Sequence, residues 1–145
     1  LYEGNNFSGS GFDHAIYLSR GNNNVVRGNR FLNNSVVAGQ CRGGNFTLHG
    51  SSDGLLIENN TIEVPDASNS CYGFSITAGY TDHEEFRNVV LRGNTVINTG
   101  ICSMCINSSP GIVVEGNRIF TPGRRAHYGI WAEANGKTDT PSSAA

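Results

Sequence analysis

Asp13, His14, Tyr17 and Arg20, four side chains that can move a proton or hold an anion, fall within eight residues of one another. Arg42 and His49 follow in the next stretch of similar pattern. Abstracting a carbon-bound proton next to a carboxylate needs a base near that proton, a donor to the departing oxygen and a cation for the carboxylate. His14 and His49 are bases near neutral pH, Tyr17 is an acid, and Arg20 and Arg42 can neutralise a carboxylate. His14, Tyr17, Arg20 and His49 are therefore the candidate catalytic residues, and Arg42 a candidate substrate contact. A plainer reading stands beside this one, in which Asp13 and His14 begin a strand and bond local backbone.

A second group lies in the insertion spanning residues 78–88, which carries Tyr80, Asp82, His83, Glu84 and Glu85. Loops on a rigid scaffold commonly carry function, and Asp82, Glu84 and Glu85 supply the oxygen ligands that calcium favours. Adjacent glutamates are also what a solvated turn carries. Cys102 and Cys105 form a C-x-x-C, but on a strand an odd offset points them to opposite faces, and no second such pair follows. Cys71 and Cys102 precede neighbouring strands and could be bridged, which suits an oxidising compartment; free buried thiols fit as well.

The elements that position these residues repeat. Aligning on a Gly/Asn-Asn step gives YEGNNF (2–7), VRGNRF (26–31), IENNTI (57–62), LRGNTV (91–96) and VEGNRI (114–119). The register asparagines are Asn5, Asn29, Asn60, Asn94 and Asn117, separated by 24, 31, 34 and 23 residues. Irregular spacing of a constant motif is expected of coils whose loops vary while their strands do not. A second set interleaves: AIYLS (15–19), NFTLH (45–49), GFSIT (73–77), SMCIN (103–107) and GIWAE (129–133). Its alternation points Ile16/Leu18, Phe46/Leu48, Phe74/Ile76, Met104/Ile106 and Ile130/Ala132 inward. Two outward columns result: Tyr17, Thr47, Ser75, Cys105, Trp131, and Ser19, His49, Thr77, Asn107, Glu133. Rings and short polar groups on one face suit a sugar-binding groove, which makes Thr77, Asn107, Trp131 and Glu133 candidate substrate-binding residues. They also suit any solvated sheet.

Other columns read as structure. The register asparagines form an internal amide ladder. Two residues before each stand Glu3, Arg27, Glu58, Arg92 and Glu115, alternating in sign so that every charge meets opposite neighbours. Val25, Leu56, Val90 and Val113 should face outward as an apolar stripe that needs cover, from a loop, a flanking segment or another subunit.

Composition agrees. Of 145 residues, 19 are Gly and 18 Asn, too many turn formers for a helical domain, and only 37% are hydrophobic. No apolar run approaches the roughly 20 residues of a membrane-spanning helix. A net charge of −2, with nine Arg and one Lys, argues against sequence-independent nucleic-acid binding. Residues 1–134 read as one all-β unit of about four to five coils, a fragment of a larger protein, and 135–145 as a polar tail or linker.

The apolar-x-G-N-x-apolar motif, with HAIYLSRGNNNVVRGN at 14–29, resembles the right-handed parallel β-helix of the pectate-lyase-like superfamily. The resemblance implies a right-handed β-solenoid and, by analogy of fold alone, a secreted or cell-surface module acting on a polysaccharide, of the lyase or C5-epimerase type. The Asn-Thr-Asp and Asp-Asp motifs of its hydrolases, the Asp-Pro-His-Asp motif of alginate epimerases and a catalytic Lys are absent. The rival expectation is a non-catalytic stalk, adhesin or filament segment, associating laterally or end to end.

Overall fold

The computed structural model describes residues 1–11, 13–64, 71–80, 83–121 and 128–133. It is all-β, and three five-stranded parallel sheets run the length of the stack. The first sheet is built from Tyr2–Glu3, Val25–Arg27, Leu56–Glu58, Val90–Arg92 and Val113–Glu115. The second follows at once in each coil, as Asn6–Ser8, Arg30–Leu32, Thr61–Glu63, Thr95–Ile97 and Arg118–Phe120. The third comprises Ile16–Ser19, Gly44–His49, Tyr72–Ile76, Cys102–Asn107 and Tyr128–Glu133. Each repeat motif is thus two strands meeting at a corner. The residue before the register Asn takes a left-handed backbone, with φ of 62° at Gly28, 55° at Asn59 and 63° at Gly93. Only Gly and Asn adopt that conformation at little cost, so the motif reads G-N or N-N.

The expected columns form. Asn5, Asn29, Asn60 and Asn94 each donate Nδ2–H to the Oδ1 of the next register asparagine at 2.9–3.1 Å. Asn29, Asn60 and Asn94 donate their second Nδ2–H to the carbonyls of Tyr2, Val26 and Ile57, and Asn117 donates Nδ2–H to that of Leu91. Outside, Arg27 lies 2.8 Å from Glu3 and 3.5 Å from Glu58, and Arg92 lies 3.1 Å from Glu115. Inside, Val26, Ile57, Leu91, Phe31, Ile62, Val96, Phe46, Phe74 and Met104 are fully buried in one continuous core.

Four expectations change. Ile130 stacks in register on Met104 yet is 51% exposed, because no described strand covers that rung. Val25, Leu56 and Val90 are half-buried, and only Val113 of that stripe is exposed. Cys71 bonds to Cys41, not to Cys102: a short antiparallel hairpin, Val36–Val37 with Gln40–Cys41, brings Cys41 to a Cα–Cα separation of 5.0 Å. Cys102 bonds to Cys105. A flat strand would hold them on opposite faces, but the pairing skips Ser103, and the bend leaves the two Cα atoms 5.8 Å apart. The same skip occurs at Gly73 and Asn45, so the bend belongs to the sheet.

Candidate functional site

The outward face of the third sheet is a groove. A cavity of about 350 Å³ runs over it, lined among others by His14, Thr47, His49, Thr77, Asn107 and Trp131. The register places Tyr17 beside Thr47, Thr47 beside Ser75, Ser75 beside Cys105 and Cys105 beside Trp131. Five coils therefore each supply one side chain to a continuous surface. A second hollow, bounded by Asp13, His14 and Tyr17, shares His14 with it.

The two histidines are held in opposite tautomers. At His14, Nδ1 accepts the Gly44 N–H at 3.0 Å, with the Thr47 hydroxyl 2.8 Å away. Its neutral ring therefore carries hydrogen on Nε2. His49 Nδ1 lies 2.5 Å from the Thr77 carbonyl, which can only accept. Its Nδ1 carries the hydrogen, so in the neutral ring Nε2 holds the lone pair. Burial lowers the His14 pKa below 6.5, reinforced by His49 and opposed by Asp13 and the Gly44 bond, so the ring is neutral at pH 7.

The Tyr17 ring lies between them, 5.2 Å from His14 and 5.4 Å from His49 by ring centroids. Its hydroxyl is 3.0 Å from that of Tyr80, which is 2.8 Å from the Ser19 hydroxyl. The bond to Tyr80, followed by burial, pushes the Tyr17 phenol up to about 12, so it stays protonated. Tyr80 moves down, because Ser19 and Tyr17 can both donate to its oxygen.

The sequence profile of a family described as a right-handed β-helix region matches residues 1–140. The chain belongs to the right-handed β-helix family. No curated protein and no solved structure matches it. Within this β-helix, the groove is lined by six of the nine candidate catalytic and substrate-binding residues. Thr77, Asn107, Trp131 and Glu133 line it with His14 and His49. Asn107 Nδ2 donates to Glu133 at 3.3 Å and Trp131 Nε1 donates to it at 3.2 Å, which fixes the carboxylate at that end. Arg20, in a left-handed conformation with φ 67°, turns out of the strand and lies over Gly50, close enough to Tyr80 to favour its ionised form. Arg42 is exposed and lies off the groove, its N–H bonded to the Ser35 carbonyl.

The calcium arrangement does not assemble from the described residues. Asp82 lies outside them. The Glu84 carboxylate turns inward and accepts backbone N–H groups from Gly50, Gly79 and Tyr80. Glu85 pairs with Arg87 at 2.6 Å. Among the described residues no cluster of three or more His, Cys, Asp and Glu could hold a metal, and no helix is long and apolar enough to cross a membrane. Tyr72, which lines the cavity, and Tyr80, which reaches Tyr17 from the insertion, belong to the site without having been candidate site residues. The length of that insertion was the available signal.

Proposed function

We propose that this β-helix acts on an acidic polysaccharide as a lyase or C5-epimerase, in an extracytoplasmic setting that suits its two disulfides. One observation carries the reading: beside the open groove the rings of His14 and His49, each with its Nδ1 already bonded, flank Tyr17, whose phenol stays protonated. His49 Nε2 takes the C5 proton of a uronate. In elimination the Tyr17 O–H, turned from Tyr80 toward the substrate, gives its proton to O4 as the C4–O4 bond breaks and a C4–C5 double bond forms. In epimerisation C5 is reprotonated from the other face, where His14 Nε2–H is the available donor. Arg20, which lies over Gly50 near Tyr80, is the cation for the carboxylate. The far end, with Trp131 over Glu133 and Asn107, supplies a ring to stack on a sugar and acceptors for its hydroxyls.

The test is incubation of the protein with alginate, pectate, chondroitin and related uronate polymers, with and without calcium, following absorbance of unsaturated ends and hydrogen exchange at C5. Either signal on one polymer, abolished by His49→Ala, is the expected result. Absence of both on every polymer overturns the reading and leaves the non-catalytic solenoid in its place.

A further inference from the structure

Among the described residues, Glu84 is the only charged side chain fully withdrawn from solvent, at 1% exposure. Burying a carboxylate is costly unless hydrogen bonds replace its water, and here backbone replaces it. Glu84 accepts the Gly50 N–H at 2.7 Å, the Gly79 N–H at 3.1 Å and the Tyr80 N–H. Gly50 immediately follows His49, whereas Gly79 and Tyr80 leave the next coil. The carboxylate therefore ties residues 79–80 down over the end of the His49 strand.

What those residues do there is specific. Gly79 rests flat on the His49 imidazole, so closely that a methyl group in place of its hydrogen would overlap the ring. Thr77, two residues earlier, holds the His49 Nδ1–H. Tyr80 sets its ring against His49 at 6.0 Å and its hydroxyl between those of Tyr17 and Ser19. One short strap thus touches both the imidazole and the phenol that face the groove, although it lies more than 60 residues from Tyr17 in sequence.

We propose that Tyr80 and Glu84 are positioning residues for the acid–base pair: Glu84 closes the strap on Gly50, Gly79 sets the His49 ring, and Tyr80 clamps the Tyr17 hydroxyl. This rests on the reading of His49 as base and Tyr17 as donor. The raised Tyr17 pKa is a consequence of the clamp and gives it a direct readout.

The experiment uses Tyr80→Phe and Gly79→Ala in the full chain. Ring NMR reports the His49 tautomer and the Tyr17 titration without substrate, and turnover is measured on whichever uronate polymer reacts. Tyr80→Phe should let Tyr17 ionise at lower pH and reduce kcat about tenfold, with KM changed less than about twofold. Gly79→Ala, at a backbone conformation open to alanine, should displace the ring and lose the pure Nδ1–H tautomer. Both variants folding with wild-type Tm, tautomer and Tyr17 titration would overturn the proposal, leaving the strap a purely structural loop. If the spectroscopic changes appear but no polymer reacts with the wild type, the strap's hold on the two side chains stands and their acid–base assignment falls.

Discussion

The outer faces of the first and third sheets are built on the same stacking register but carry different information. On the first sheet each coil repeats its neighbour: an Arg–Glu alternation outside and an asparagine ladder at the corner. On the third sheet the inner face repeats as strictly, with Phe46 over Phe74 at 6.1 Å, while the outer face changes at every coil, from Tyr17 to Thr47, Ser75, Cys105 and Trp131. Repetition satisfies the requirements of stacking, since equivalent groups pair best with themselves or with opposite charges. A face that abandons repetition while its interior keeps it is free of that requirement, which is where a site can be built.

Substitutions should separate the two faces. The largest effect is expected inside the repetitive part. Asn60→Ala removes an acceptor of two hydrogen bonds from Asn29 and a donor to Val26 and Asn94, leaving several buried groups unpaired. Each such group costs about 1–3 kcal/mol, so denaturant unfolding should show a loss of about 3 kcal/mol or more. Thr77→Ala, on the variable face, should cost less than about 1 kcal/mol while weakening any glycan bound in the groove. A loss comparable to that of Asn60→Ala would mean that the variable face is also structural.

A smaller effect concerns pH. Because burial lowers the His14 pKa from 6.5, the unfolded chain takes up a proton as pH falls through 6.5 while the folded site resists it. Stability therefore declines below 6.5, and the decline from this group ends once pH passes the lowered folded value. The slope of stability between pH 7 and 5 should be shallower in His14→Gln. The smallest effect is expected for Arg27→Ala, whose partners Glu3 and Glu58 are solvent-screened at the surface. Its change in Tm should shrink further in about 1 M salt.

Most of the fold was legible in the sequence because a column in a parallel stack is a list of equivalent positions. Once Asn5, Asn29, Asn60, Asn94 and Asn117 are aligned, the neighbours of Arg27 or Tyr17 follow by counting along each strand. Counting fails in the loops, where coil lengths differ. The Cys41–Cys71 bridge depends on a hairpin that, among the described residues, is present in one coil only. The inward turn of Glu84 depends on where residues 78–80 leave the third sheet, so a carboxylate that looks like a calcium ligand serves as a latch. The histidines were visible as candidates, but their opposed tautomers rest on Gly44, Thr47 and Thr77, which only the folded strands bring near them.

The most direct test is amide and side-chain NMR of the protein titrated with uronate oligosaccharides from each of the polymers above. The account predicts saturable shifts confined to the third-sheet face, at His14, Thr47, His49, Thr77 and Trp131, with the Arg–Glu face of the first sheet silent. Shifts centred on Arg27, Glu58 and Arg92, or none with any oligosaccharide, would contradict it.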